Sequence, residues 1–194
     1  AEGSALMLPD NFIRTWSGNP LSERASAQSH FRDLCTLLGI ALPSPLTAGR
    51  FEFEKGAAKT TGGDGWADVW LKDAFAWEYK KTKANLDAAY AQVQRYAPAL
   101  DNPPLLIVSD TQQIIIRTAF TGAVQERHDI AIEDLRDGSA RDLLRRAFEA
   151  PRSFRPKRTR ADLTVALRQR RLEQKLAAFS DTLAEPDADE DRER

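Results

Sequence analysis

Three short strand-like segments, followed by one helix and two further strand-like segments, constrain the fold of this chain more than any other feature. The first three segments span residues 50–55, 66–71 and 74–80, and the turn-forming pair Lys72-Asp73 separates the last two. Each segment alternates polar and apolar side chains or is a short apolar run, as strands of a half-buried or buried sheet do. We therefore expect three consecutive antiparallel strands with a tight two-residue turn between the second and the third.

The segments that follow indicate a crossover connection. Residues 86–97 predict a helix that ends near Pro98, strands are predicted at 105–109 and 114–118, and an edge strand is predicted within 124–132. A helix between two strands allows the strand at 105–109 to lie parallel to an earlier one. The sequence therefore predicts an α/β fold with a mixed central sheet flanked by helices.

Further helices are predicted on both sides of this core. A first helix is expected between residues 22 and 39, and a short one over residues 141–150. Residues 162–183 are helical by composition, but we expect them to find no partner within this chain. We assign residues 1–150 to one α/β domain and residues 151–194 to a basic linker, a helical extension and an acidic, disordered tail.

The charges of the C-terminal part are unevenly distributed, although the net charge of the chain is only −1. Residues 152–171 contain eight basic residues and one acid, whereas residues 181–194 contain seven acids and two arginines. A basic segment of this kind is either a contact surface for phosphates or ordinary solvated surface.

The single cysteine and the lack of long apolar runs indicate the compartment. Cys35 lies in an apolar helical run, so neither a disulfide framework nor a cysteine zinc site can form. No segment approaches the roughly 18 to 20 apolar residues that a membrane span requires. We expect a cytoplasmic protein with no membrane partner.

The residues that carry chemistry lie on the second and third predicted strands. Asp68 precedes Glu78 by ten positions, and Lys80 follows Glu78 by two. The period of two in a strand places Glu78 and Lys80 on one face, and a tight hairpin brings Asp68 beside them. Two carboxylates and an ammonium on one side of a sheet need a compensating partner, because unpaired buried charge is costly. A divalent metal supplies that partner.

Magnesium is the metal that this set of donors favours. It prefers oxygen ligands and keeps several waters, so Asp68, Glu78 and the main-chain carbonyl of Tyr79 would hold it, and Mn²⁺ would substitute for it. Lys80 would orient an attacking water and steady the negative charge that develops on a phosphate. Glu23 is either a further metal ligand or an acidic first-turn residue favoured by the helix dipole.

Side chains beyond this core are expected to contribute. Gln92 and Tyr96 lie four positions apart on the helix that follows, on one face directed back to the sheet, and we include Gln92 in the catalytic set. Lys81 and Lys83 come directly after Lys80 and are placed to face a phosphate backbone.

These residues together resemble the N-terminal nuclease domain of the MmeI-like, type IIL restriction-modification enzymes, which are members of the PD-(D/E)xK superfamily. The family's D-x9-E-x-K spacing is reproduced, and its Q-x-x-x-Y element falls on Gln92 and Tyr96. Ala67 stands where a proline would precede the acid, a common departure. The resemblance covers about residues 12–132. The matching residues are Glu23, Gln28-Ser29-His30-Phe31, Phe53-Glu54, Gly65-Trp66-Ala67-Asp68-Val69-Trp70, Trp77-Glu78-Tyr79-Lys80, Leu86-Asp87-Ala88-Ala89-Tyr90, Gln92 and Tyr96.

The resemblance implies a PD-(D/E)xK restriction-endonuclease-like fold and a Mg²⁺-dependent endonuclease that hydrolyses phosphodiester bonds of DNA. We expect Lys81, Lys83 and Tyr96 to contact DNA, with packing as the alternative role of Tyr96, and we expect His30 near the DNA. The partners would be DNA and the methyltransferase and target-recognition domains of a parent chain. S-adenosylmethionine would bind only to those other domains. The helical segment from Asp162 resembles the start of the family's helical spacer.

Two alternatives stay open. A RecB-like exonuclease or repair nuclease would share the site but act on DNA ends, and a non-catalytic DNA-binding module would keep the nuclease fold without cleaving. The presence of Asp68, Glu78 and Lys80 together favours catalysis. A variant without the Lys80 ammonium is expected to lose cleavage and to keep nearly unchanged thermal stability.

Overall fold

The structure is a computed structural model, and it describes most of the chain. The chain divides into two compact units, one formed by residues 1–121 and 125–156 and the other by residues 122–124 and 157–194. The described residues are 7–18, 23–58, 64–157 and 159–184.

A six-stranded sheet forms the centre of the first unit, and its strands lie side by side in chain order. The third and fourth strands are parallel, and every other neighbouring pair is antiparallel. This confirms the predicted α/β fold with a mixed sheet, and the strand predicted at 105–109 is the parallel one. The strands are β1 Phe51–Ala58, β2 Asp64–Leu71, β3 Phe75–Tyr79, β4 Leu105–Ser109, β5 Gln113–Thr118 and β6 Arg127–Ala131.

The turn between β2 and β3 differs from the prediction. Leu71 pairs with Phe75, so three residues rather than two connect the strands. Asp73 lies at φ +60°, a left-handed conformation that aspartate tolerates better than most residues do. The ladder of this hairpin ends at the pair Val69 and Trp77, so the strands separate just before Asp68 and Glu78.

One helix, α3 (Leu86–Tyr96), covers one face of the sheet and makes the crossover between β3 and β4. Its start is fixed by Asn85, whose side chain accepts hydrogen bonds of 3.0 Å from the main-chain N–H groups of Asp87 and Ala88. Its buried residues recur at helical spacing, so this stripe packs on the apolar side chains of β2, β3, β4 and β5. The buried residues of α3 are Leu86, Ala89, Tyr90, Val93 and Tyr96.

Helices α1 (Pro9–Trp16), α2 (Glu23–Leu38) and α4 (Gly138–Glu149) contribute to the core on the other face. The sequence predicted α2 and α4 but missed α1, which has only eight residues. Pro9 at its first turn and three buried apolar side chains explain why it forms nevertheless. These buried side chains are Phe12, Ile13 and Trp16.

The predicted linker after residue 150 is folded in part. Pro151–Phe154 forms a 3₁₀ turn, and Phe154 is buried against the ring of His128 and the guanidinium of Arg146. An apolar side chain at that position holds the segment on the first unit, so the prediction of a linker beginning at residue 151 is wrong there.

The second unit contains the C-terminal helix α5 (Arg160–Ala184), as predicted. Its large apolar side chains are exposed by 42% to 68%. Residues 185–194 lie outside the described residues, so the predicted acidic tail stays a prediction. None of the helices that the structure describes is long and apolar enough to cross a membrane.

Candidate active site

Asp68 and Glu78 come together where the β2–β3 ladder ends. The main-chain N–H of Tyr79 donates a hydrogen bond of 2.6 Å to Oδ2 of Asp68. A side-chain carboxylate therefore takes the place of the main-chain acceptor that a continuing ladder would have provided. The bond fixes Asp68 beside the segment Glu78-Tyr79-Lys80, as the hairpin prediction required.

Lys80 connects the strand to α3. Its Nζ donates to Oε1 of Glu78 at 2.8 Å and to Oε1 of Gln92 at 3.2 Å. The side chains of Lys80 and Glu78 are 22% and 7% exposed, so this ion pair is shielded from solvent more than a surface pair. The structure therefore brings together Asp68, Glu78 and Lys80, which the sequence analysis placed on one side of the sheet.

Tyr96 orients the second oxygen of Glu78. Its hydroxyl donates a hydrogen bond of 2.6 Å to Oε2 of Glu78. Burial, and then the negative charge of Glu78, raise the pKa of Tyr96, so the phenol stays protonated and remains a donor. Each oxygen of Glu78 thus has one fixed donor, which sets the plane of the carboxylate.

Two of the predicted DNA contacts are wrong. Tyr96 is fully buried and bonded to Glu78, so it cannot reach a nucleic acid. His30 is 1% exposed, lies at the edges of aromatic rings in the core, and its Nδ1 is 3.0 Å from the hydroxyl of Tyr79. Burial lowers the pKa of His30 to about 3, so it is neutral at ordinary pH.

Lys81 and Lys83 are exposed, as a phosphate-contacting residue must be, and they lie on the loop between β3 and α3. Arg152 and Arg155, from the predicted basic segment, lie elsewhere. They line a surface pocket together with Asp73, at the start of β3, which is the end opposite to Glu78. The two sets of cations therefore do not share one site.

Comparison with protein families adds an independent finding. The family model described as "MmeI, N-terminal domain" matches residues 7–179. The chain belongs to this family. The match covers both the sheet and most of α5, so the resemblance found for residues 12–132 is confirmed and extended.

A solved structure is also similar to this member of the MmeI N-terminal domain family. It is a chain of the cryo-EM structure of a DrdV–DNA complex, with 20% sequence identity and a TM-score of 0.46. The match covers 79% of this chain and 14% of that chain, so this chain spans a small part of its neighbour's length. No curated protein matches the sequence.

The donors at the site of this MmeI-family chain suit magnesium. An ionised carboxylate offers about four lone-pair positions, so Glu78 can bind a metal while keeping its bonds to Lys80 and Tyr96. His30 and Cys35 are buried in the core, which leaves oxygen donors at the site. Among the side chains that the structure describes, no group of three or more His, Cys, Asp or Glu forms a metal cage. A two-carboxylate site fits Mg²⁺, because this ion usually retains several waters.

Two predicted metal ligands stay predictions. The side chain of Glu23 lies outside the described ones, although its main chain begins α2. The main-chain carbonyl of Tyr79 lies between Glu78 and Lys80, where the prediction needs it, and the N–H of the same residue bonds to Asp68.

Two residues near the site were quoted from the sequence without a role. The β1–β2 pairing omits Glu54, which lies at φ +51°, between the pairs Phe53 with Val69 and Lys55 with Ala67. Nε2 of Gln28 donates to Oε1 of Glu54 at 3.3 Å, and both residues line a small cleft beside Asp68. Only the family resemblance signalled them, because neither residue belongs to a spaced motif.

Proposed function

We propose that this chain is a Mg²⁺-dependent endodeoxyribonuclease of the PD-(D/E)xK type, the cleavage module of a combined restriction-modification enzyme. The observation that supports this most strongly is the position of Lys80, bonded to both Glu78 and Gln92 at the end of the hairpin that also carries Asp68. Membership of the MmeI N-terminal domain family supports the same function.

The proposed reaction is hydrolysis of a phosphodiester bond. The water oxygen forms a bond to phosphorus while one ester P–O bond breaks, the water loses a proton, and the leaving oxygen gains one. Bound Mg²⁺ would supply a water of lowered pKa and neutralise charge on the transition state. Asp68 and Glu78 would hold the ion, while the Lys80 ammonium would face the charge that develops on the phosphate oxygens.

Gln92 and Tyr96 would act through their neighbours. Gln92 accepts a hydrogen bond from Lys80, which limits the rotation of the ammonium. Tyr96 holds the Glu78 carboxylate in one orientation. Residues that orient a metal ligand in this way typically change metal affinity or activity by about 10-fold to 100-fold when they are removed.

The partners of the chain belong to the same proposal. DNA would be bound through its phosphates by Lys81 and Lys83, so binding would be independent of sequence and sensitive to salt. Sequence recognition and S-adenosylmethionine binding would belong to methyltransferase and target-recognition domains of a parent chain. A cytoplasmic location fits such an enzyme.

Cleavage of a supercoiled plasmid tests the proposed function. The chain is incubated with the plasmid and Mg²⁺, and with the plasmid and a chelator, and the nicked and linear products are measured. Asp68→Asn should lose the Mg²⁺-dependent cleavage. Asp73→Asn is the matched control, because it removes the same charge from the other end of the β2–β3 hairpin, and it should cleave like the wild type.

The same assay separates the alternatives. Degradation of linear DNA with no attack on the supercoiled plasmid would indicate the exonuclease. DNA binding without any metal-dependent cleavage, in the chain and in a parent enzyme whose methylation is intact, would indicate the non-catalytic module. Equal cleavage by Asp68→Asn and the wild type would remove Asp68 from the site.

A further inference from the structure

Asp110 is a buried carboxylate that joins two loops beside the candidate active site. It directly follows β4, and it is 2% exposed. Its Oδ1 accepts hydrogen bonds from the main-chain N–H groups of Gln112 at 2.8 Å and Gln113 at 2.9 Å. Its Oδ2 accepts the N–H of Lys83 at 3.1 Å. One side chain thus bonds both to the β4–β5 turn and to the loop after β3.

That second loop, residues 81–84, is called the basic loop here because it carries Lys81 and Lys83. It is also held at other points. The N–H of Lys80, just before it, donates to the carbonyl of Ser109 at 2.8 Å. The hydroxyls of Thr82 and Thr111 are 3.3 Å apart. The basic loop is therefore joined to the β4–β5 turn at Thr82 and at Lys83.

The main-chain conformation of Lys83 indicates that its side chain has a functional role. Lys83 lies at φ +67°, a left-handed conformation in which glycine is the least strained residue. A residue with a Cβ pays roughly 1 kcal/mol or more there, and such strain is typical of functional sites. Its hydrogen bond to Asp110 opposes that cost. The chain thus keeps an exposed ammonium at a position where glycine would fit with less strain.

We infer that Asp110 is a positioning residue that holds the basic loop, before DNA binds, in the conformation that contacts the phosphate backbone. This inference rests on the proposed function. A loop that is already ordered loses less conformational entropy on binding than a loop that must be fixed by its ligand. A negative charge next to a DNA-binding loop weakens the attraction of that loop for phosphate. The role of Asp110 in ordering the basic loop explains why a carboxylate lies there in spite of this cost. The three amide donors to Asp110 compensate its burial.

Asp110→Asn tests the inference, because it changes one bond selectively. Asparagine keeps one carbonyl oxygen for the amides of Gln112 and Gln113, and turns its NH₂ group toward the N–H of Lys83, where no hydrogen bond can form. Hydrogen exchange at the Lys83 amide should become faster. The Kd for a short duplex of arbitrary sequence is then measured at several salt concentrations with the full chain.

The expected result runs against simple electrostatics. Removal of a negative charge alone should strengthen DNA binding, whereas loss of the preset loop should weaken it. The slope of log Kd against log salt should fall in magnitude by about 0.9 for each phosphate contact that is lost. The control Asp137→Asn makes the same change of charge at the N-cap of α4, and its slope should equal that of the wild type.

A double-variant comparison shows whether Asp110 acts through the lysines. In a chain with Lys81→Ala and Lys83→Ala, adding Asp110→Asn should leave the slope unchanged, because the contacts are already lost. A further fall in slope in that background would overturn the inference. So would an Asp110→Asn slope and Kd equal to those of Asp137→Asn.

Thr82→Val keeps the test decisive if Asp110→Asn does not fold. It removes the hydroxyl contact with Thr111 and leaves the Asp110 carboxylate in place. A smaller fall in slope in the same direction would support the inference, and an unchanged slope in a folded Thr82→Val chain would overturn it. Failure of the proposed function looks different, because the wild-type chain itself would then either bind no DNA or bind it without metal-dependent cleavage of the plasmid.

Discussion

Tyr96 donates a hydrogen bond of 2.6 Å to Oε2 of Glu78, so a side chain predicted to touch DNA instead orients a candidate metal ligand. Tyr96→Phe removes only this hydroxyl and keeps the buried ring. We expect the affinity for Mg²⁺ or Mn²⁺ to fall by about 10-fold or more, because Glu78 would lose its fixed orientation. Calorimetric titration of the chain with each metal measures the effect.

Tyr90→Phe is the matched control for this variant. Tyr90 lies on the same helix and is also buried, and its hydroxyl bonds to Gln94 rather than to the candidate site. Metal affinity should be unchanged in Tyr90→Phe. Equal losses of affinity in the two variants would mean that α3, rather than the bond to Glu78, determines the result.

Metal binding should also depend on the carboxylate of Asp68. Asp68→Ala removes one of the two carboxylates and the acceptor for the N–H of Tyr79, so the heat of metal binding should vanish. Thermal unfolding of the variant is measured in parallel to show that the chain is folded. Binding heat equal to that of the wild type would exclude Asp68 as a ligand.

Much of this site follows from periodicity in the sequence. A period of two placed Glu78 and Lys80 on one face, and a spacing of four placed Gln92 and Tyr96 toward the sheet. Periodicity gives the face of an element but not what lies opposite. The bond between Tyr96 and Glu78 depends on how α3 packs, so the sequence could not distinguish a buried hydroxyl from one that faces DNA.

Other parts of the fold left no readable signal. Helix α1 is short, and its stability comes from burying Phe12 and Trp16 rather than from helix propensity. Asp110 accepts a hydrogen bond from the main-chain amide of Lys83, and this contact has no sequence signature, because only the fold brings the two residues together. His30 was misplaced because an isolated histidine has no pattern that distinguishes the core from the surface.

His30 should make stability depend on pH. Burial lowers its pKa in the folded chain from 6.5 to about 3, whereas the unfolded chain keeps the ordinary value. Between these two pKa values the unfolded state binds more protons than the folded state does. The contribution of His30 to the free energy of unfolding is therefore fully present above pH 6.5 and is lost as the pH falls toward 3, by up to about 1.4 kcal/mol per pH unit. Chemical denaturation at several pH values measures this slope.

His30→Asn should flatten that dependence, because asparagine has no proton to gain and can still bond to the hydroxyl of Tyr79. If His30→Asn retains the slope, the acid sensitivity arises from other groups.

Cys35 should be inert in the folded chain. Burial raises the pKa of its thiol to about 12, and only the thiolate reacts. A thiol-specific reagent at neutral pH should therefore label the chain at the rate of unfolding, and fully once denaturant is added. Rapid labelling under native conditions would show that the Cys35 thiol is accessible in the folded chain and would contradict the prediction.

The shielding of the Lys80–Glu78 pair changes what we expect of Lys80→Ala. The sequence predicted nearly unchanged stability for this variant. In the structure, the Glu78 side chain is only 7% exposed, and its Oε1 takes a hydrogen bond from the Lys80 ammonium. Removing the cation leaves a nearly buried carboxylate with Tyr96 as its remaining described donor, which should lower the free energy of unfolding by about 1 to 3 kcal/mol. Loss of activity in Lys80→Ala alone therefore has two possible causes.

The double variant Lys80→Met with Glu78→Gln separates these causes. It replaces both charges with neutral groups of similar size, so stability should return close to the wild-type value, because replacing both partners of a buried pair is much less costly than removing one. Lys80→Met alone should be destabilised and should cleave about a hundredfold more slowly or worse, a loss of about 3 kcal/mol in transition-state stabilisation. The double variant should remain inactive in the plasmid assay although it is stable, which shows that loss of the charged pair abolishes cleavage without any loss of folding. Wild-type cleavage by a folded Lys80→Met chain would end the catalytic assignment and favour the non-catalytic DNA-binding module.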